Sequence, residues 1–353
     1  MGLLSQLAVQ FKTLSIVGMA KNAGKTTALN YLIDEAMDEG LRLGITSTGR
    51  DGELIDLVTG TDKPRIFIET DTLVSVPSKL YELADAGLEI LSMTGYSTPL
   101  GQILICRAAE SGYVQIAGPL NVKDHKKLCQ EMMSLGAELI LIDGAVDRKS
   151  VAAPGISDGV IIATGAVISR SLKKVVEETL HVVNLYSIKM IEDVLVQRII
   201  LDHQDKDQII LIDRQNQFRF LNLKTGLSAS RFLDEVINDE VAFVYIPGAL
   251  TSSVVADIHP AKFKHLQFII KDATRIFIEA NPWQLLLKRG FQVRVLDPIT
   301  VAAITVNPYS PAGYSFEHEA LLGAMRAAIK TIPIMDVKFG GDFDEACQYK
   351  DKA

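Results

Sequence analysis

The segment Leu14-Ser15-Ile16-Val17-Gly18-Met19-Ala20-Lys21-Asn22-Ala23-Gly24-Lys25-Thr26-Thr27 constrains this chain more than any other. A short apolar run ends at a glycine, and a loop of mostly small residues follows. Gly-Lys-Thr-Thr then opens a stretch in which Leu29, Leu32, Ile33, Ala36 and Met37 recur at helical spacing, ending at Gly40. A strand, a glycine-bounded loop and an amphipathic helix in that order gather backbone amides and a helix N-terminus around one point, an arrangement suited to a phosphate. On this reading Lys21, Asn22, Ala23, Gly24, Lys25, Thr26 and Thr27 bind the phosphates. Lys25 reaches the β and γ oxygens, and the Thr26 hydroxyl ligates Mg²⁺. The spacing departs from the common GxxxxGK[ST], which would put its first glycine at Met19; here Gly18 stands five residues before Gly24.

A metal-binding phosphate site also needs a carboxylate. Glu138-Leu139-Ile140-Leu141-Ile142-Asp143-Gly144 is an apolar run closed by an acid at the tip of an expected strand, so Asp143 is a candidate to hold Mg²⁺ directly or through water, with an ordinary strand-end acid as the competing reading. The loop Thr46-Ser47-Thr48-Gly49-Arg50-Asp51-Gly52-Glu53 follows the second expected strand. In it Asp51 is a candidate metal ligand or water-orienting group and Arg50 a candidate charge stabiliser, with a plain turn as the competing reading. Asp147 and Arg148 lie in the loop after Asp143, with roles left open. No NKxD or TKxD sequence occurs, which favours ATP over GTP; Asn307, before Pro308 at the end of a late strand, is a candidate contact to the base or an ordinary turn residue.

The loop resembles that of dethiobiotin synthetase, and Lys21 to Thr27 is similar to the KNSGKTT of GTPases related to the molybdopterin-guanine dinucleotide cofactor. Both belong to the P-loop class that includes the signal-recognition and MinD-like ATPases. The resemblance covers roughly residues 12–185 and implies an NTPase with Mg²⁺ and ATP as ligands. Dimerisation is common among such relatives, and Lys21 is one position away from the lysine that MinD-like proteins extend to a partner's nucleotide. Dethiobiotin synthetase carries a lysine near the end of its second strand for carbamate chemistry; no lysine occurs here between Arg42 and Lys63, which puts that reaction in doubt. GMAKNAGKTTALNYL together with VNPYSPAGYSF resembles ATPases of amino-acid-fermenting bacteria, some of which look like reactivating subunits of adenosylcobalamin-dependent aminomutases. Three functions follow: an ATPase of low turnover alone that drives a partner, an ATP-dependent ligase or kinase for a small molecule, or a protein holding nucleotide as a structural ligand.

With 353 residues, 48% of them hydrophobic, the chain is long enough for two cores. The expected class is α/β: a mostly parallel nucleotide-binding sheet with helices on both faces over residues 1–188, then a smaller α/β domain over 189–353. Strands are expected at 14–19, 41–47, 65–69, 113–117, 138–143 and 159–164 in the first. In the second, antiparallel pairing is expected over 195–223, with strands near 241–246, 266–270, 292–296, 301–306 and 332–337. Val244 to Ser253 is a further strand, glycine turn and helix start whose Thr251 and Ser252 could receive an anion or simply cap a helix. Arg50, Ser252 and Asn307 would then flank a small-molecule substrate between the domains.

A net charge of −7 gives no global reason to bind nucleic acid or an anionic membrane. No apolar run reaches the 18 or so residues of a membrane span. Gly2 precedes Gln6 where a myristoylation motif wants Ser or Thr. Cys106, Cys129 and Cys347 form no CxxC, and the six histidines have no metal-ligand spacing. A reducing, cytoplasmic setting is therefore expected.

Overall fold

The fold was read from a computed structural model that describes residues 2–48, 66–119, 121–144, 155–221 and 229–338. The chain divides into two compact units: Met1–Leu180 with Thr300–Ala353, and His181–Ile299.

The first unit is built on a nine-stranded sheet. In spatial order its strands are Ile334–Asp336, Val301–Asn307, Gly159–Gly165, Thr13–Gly18, Leu139–Asp143, Leu43–Ser47, Leu73–Pro77, Gly101–Glu110 and Gly87–Thr98. The first seven run parallel; Gly101–Glu110 and Gly87–Thr98 extend one edge as an antiparallel hairpin. Both faces of the parallel part are covered, so its strands are apolar without alternation, as Leu139-Ile140-Leu141-Ile142 shows. Leu139 and Leu141 pack with Ala28, Leu29, Leu32, Ile33 and Ala36 of the helix Lys25–Asp38. Ile140 and Ile142 turn to the opposite face and meet Leu128, Cys129 and Met132 of the helix Val122–Ser134. Each of the large aliphatic side chains so buried contributes roughly 1.5–3 kcal/mol. Asn121 caps Val122–Ser134 by accepting from the Asp124 amide at 2.8 Å.

The expected α/β class with a mostly parallel sheet, helices on both faces and a smaller α/β unit holds. The expected boundaries need correction. The strands expected near 301–306 and 332–337 fall in the second domain on the sequence reading, yet Val301–Asn307 lies parallel to Gly159–Gly165 and Ile334–Asp336 lies parallel to Val301–Asn307, both in the first sheet. A run such as Val301-Ala302-Ala303-Ile304-Thr305-Val306 is apolar on both sides and carries no mark of which parallel sheet receives it. The second unit is thus an insertion. The stretches 66–68 and 112–114 pair with each other as a separate antiparallel ribbon, Ile66 opposite Val114.

The His181–Ile299 unit contains a five-stranded sheet in the order Phe218–Leu221, Ile209–Asp213, Val241–Ile246, Gln267–Ile270, Gln292–Val295, of which the last three are parallel. Antiparallel pairing within 195–223 is confined to Ile209–Asp213 with Phe218–Leu221, around a turn in which Asn216 takes φ 61°. Residues Val194–His203 form a helix instead, started by the Asp193 carboxylate, which accepts from the Leu195 and Val196 amides. Trp283 is 2% exposed and packs edge-on against Phe291 in the core.

Candidate functional site

The strand Thr13–Gly18 delivers the loop to the carboxyl edge of the sheet, between the ends of Gly159–Gly165 and Leu139–Asp143. The loop is tied down where it leaves the strand, by the Met19 amide donating to the Ala163 carbonyl at 2.9 Å. Asn22 and Gly24 both take positive φ, 64° and 99°. That reversal brings Gly24 to the start of the helix Lys25–Asp38 as its N-cap. The helix has no side-chain cap and no acid in its first turn, whereas Val122–Ser134 and Val194–His203 are each capped by a side chain. Its first amides and the positive end of its dipole therefore face the loop without a built-in anion.

Lys25 and Asp143 meet at this edge. The Lys25 Nζ lies 3.7 Å from Asp143 Oδ1 and donates to the Gly144 carbonyl. The two side chains are 14% and 34% exposed, so the pair is shielded yet open on one side. Backbone bonds lock the neighbouring strand ends together: the Thr48 amide donates to the Asp143 carbonyl at 3.1 Å, and the Gly144 amide to the Ile16 carbonyl at 3.2 Å. Asn307 comes to the other flank of the loop. A Cβ built on Gly24 would stand 3.0 Å from the Asn307 Cβ, and the Asn307 side-chain oxygen accepts from the Tyr309 amide at 3.1 Å. Gly165 makes this approach possible, because a side chain there would collide with the Asn307 carbonyl.

Together these elements enclose a cavity of about 400 Å³, within the size range of small-molecule sites. Lys21, Asn22, Ala23, Gly24, Lys25, Thr26 and Thr27 form one wall, with Asp143 and Asn307 on its flanks. Beyond them lie Ser47, Ile66, Gln115 and Ile116. The residues singled out in the sequence from Lys21 to Thr27, Asp143 and Asn307 are thus brought to one cavity. Arg50 and Asp51, with Asp147 and Arg148, lie outside the described residues. Ile66, Gln115 and Ile116 are not among the expected site residues; Ile66 reaches the cavity through its pairing with Val114, next to Gln115 and Ile116. Thr251 and Ser252 belong to the other unit, where Thr251 precedes a helix of only four residues and its hydroxyl pairs with Ser253 Oγ at 2.8 Å.

The donors available for a metal, the Thr26 hydroxyl and the Asp143 carboxylate, are both oxygens, a set that fits Mg²⁺ completed by phosphate oxygens and water. Among the described residues there is no cluster of three or more His, Cys, Asp and Glu side chains placed to hold a metal. Beneath Ser47 sits His125, 1% exposed, whose Nδ1 lies 3.6 Å from Cys129 Sγ. Burial pushes its pKa down to about 4, opposed by the nearby Ser47 backbone, so the ring is neutral at pH 7.

No helix among the described residues is long and apolar enough to cross a membrane. Comparison with family models, with curated proteins and with solved structures returns no match for this chain.

Proposed function

We propose that this chain is a Mg-ATP-binding P-loop NTPase that hydrolyses ATP to drive a conformational or partner-directed task. The observation that carries the reading is the meeting of Lys25 and Asp143, 3.7 Å apart, at the mouth of a glycine-started helix whose first turn has no anion of its own. In the proposed mechanism the loop amides and the helix N-terminus hold the β-phosphate, and Lys25 turns from Asp143 and Gly144 to the β and γ oxygens. Thr26 and Asp143 would hold Mg²⁺, which would neutralise charge on the transferred phosphoryl group. Asp143 and Ser47 lie toward one flank of the loop and Asn307 on the other. With the γ-phosphate toward Asp143, the nucleoside leaves past Asn307, which makes its amide the candidate contact to the base.

Calorimetric titration with ATP and GTP, with and without Mg²⁺, tests this reading. Hydrogen bonds to charged groups are worth about 1.5–3 kcal/mol each, so Lys25→Ala should weaken ATP binding roughly ten- to hundredfold. Equal affinity in the wild type and Lys25→Ala would sink the proposal.

A further inference from the structure

A second cavity lies in the first unit, at the opposite edge of the sheet from the loop Gly18 to Thr27. It occupies about 240 Å³ where the helix Lys25–Asp38 ends and the strands Leu43–Ser47 and Leu73–Pro77 begin. Met37 and Gly40 at the helix end, Arg42 before one strand, and Glu69, Asp71 and Thr72 before the other are among the residues that line it. The helix has 14 residues, so this end stands about 20 Å from Lys25.

Three parts of the cavity wall ask for a cation independently. The carboxyl end of a helix carries partial negative charge, and this helix has no basic residue in its last turn to meet it. Glu69 and Asp71 bring two carboxylates from the facing turn. Negative charge gathers here: the Asp34 carboxyl is raised above its ordinary range, first by burial and then by the charges of Glu69 and Asp38. The third part is Thr72, which is only 6% exposed and whose hydroxyl has no hydrogen-bond partner among the described residues. Leu73 packs with Leu128 and Met132 on one face of the sheet, and Val74 with Ile33 and Ala36 on the other. Alternation along the strand puts Thr72 on the Val74 side, aimed at the helix end and into the cavity. A hydroxyl so nearly buried is costly to leave unmet.

We propose that this cavity is a binding site for a small aliphatic amine in its ammonium form. The three N–H donors of a primary ammonium match the Glu69 and Asp71 carboxylates and the Thr72 hydroxyl oxygen. The alkyl body rests along Met37, which is 56% exposed. A bare metal ion fits less well. Among the described residues there is no cluster of three or more His, Cys, Asp and Glu side chains placed to hold one. The cavity is also several times the ~30 Å³ share of a single water. Arg42 is the one base among the described lining residues, and Glu138 meets its charge: the Arg42 Nε lies 3.6 Å from Glu138 Oε2, which also accepts the Arg42 amide at 3.0 Å.

The acidic turn is held in place by its backbone. The Thr72 amide donates to the Glu69 carbonyl at 3.2 Å, the Asp71 amide to the Ala108 carbonyl at 2.8 Å, and the Ala108 amide to the Thr72 carbonyl at 2.9 Å. Across the cavity the Leu41 amide donates to the Ala36 carbonyl at 2.8 Å and fixes the helix end. The acceptors are therefore positioned before any ligand arrives, which lowers the cost of binding.

The test is calorimetric titration of the full-length protein at low salt with butylamine and putrescine, and with butanol as the uncharged control. At least one amine should bind saturably and butanol should not. Asp71 takes φ 67°, a conformation Asn tolerates, so Asp71→Asn removes the charge with the turn intact, and affinity should fall about tenfold. Thr72→Val, close in shape and without the hydroxyl, should weaken binding severalfold. Lys25→Ala, at the far end of the helix, should leave amine affinity within about twofold. Absence of saturable binding by either amine overturns the proposal. So do affinities unchanged in both Asp71→Asn and Thr72→Val, loss of binding in Lys25→Ala, or displacement of the amine by an equal concentration of K⁺.

Discussion

Burial of His125 makes the first unit sensitive to mild acid. Its imidazole has an ordinary pKa of 6.5, brought to about 4 in the fold chiefly by loss of water around the ring. Well above pH 6.5 the ring is neutral whether the chain is folded or not, and the full stability is present. As pH falls from 6.5 toward 4 the unfolded chain takes up a proton that the folded chain does not, so stability declines with falling pH. Linkage between these values gives a loss on the order of 1 kcal/mol from pH 7 to pH 5.5, and about 3 kcal/mol at the acid limit. The first figure is the useful one, since it accrues before most carboxylates titrate. Urea unfolding at the two pH values, followed by a probe in the helix Val122–Ser134, should show the midpoint moving down in acid in wild type. His125→Leu, close in volume and unable to titrate, should remove most of that pH dependence. Proton NMR of the ring should show it still neutral at pH 5. An unchanged pH dependence in His125→Leu, or a ring titrating near 6.5, would refute the reasoning.

Gly165→Ala should destabilise the first unit by about 1–3 kcal/mol, through the clash of its new methyl with the Asn307 carbonyl; thermal unfolding checks it. Cys106 and Cys129 are buried thiols with pKa pushed up to about 12, so iodoacetamide at pH 8 should leave both unmodified in the native protein and modify both in urea, by peptide mass mapping. Asp193→Ala removes the acceptor for two amides and should cost about 1 kcal/mol, seen as faster hydrogen exchange in the first turn of Val194–His203.

What could be read from the sequence was local. Gly18 to Thr27 and Asp143 were legible because a strand, a loop and a helix start, or an apolar run closed by an acid, state their own geometry within a few residues. The hairpin strands Gly87–Thr98 and Gly101–Glu110 went unanticipated, since one of them mixes exposed Ile90 and Met93 with half-buried neighbours at a sheet edge and so lacks a clean alternation. Val194–His203 read as a strand because its apolar residues are crowded; the Asp193 cap was the better signal. Asn307 was placed at the right kind of strand end but with the wrong sheet. Ile66, Gln115 and Ile116 join the cavity only through pairing between distant segments, which no local pattern encodes.

The insertion also orders events on the ribosome. The strand, loop and helix from Thr13 to Asp38, and the strands ending in Ser47 and Asp143, leave the tunnel early. Val301–Asn307 and Ile334–Asp336 follow only after all of His181–Ile299 has been made. The strand Gly159–Gly165 must wait with an open edge for that interval, and Asn307, which closes one flank of the cavity, is among the last of these parts to arrive. A nascent chain stalled before residue 301 would thus carry the loop Gly18 to Thr27 without its completed surroundings, and the cavity closes only near the end of synthesis.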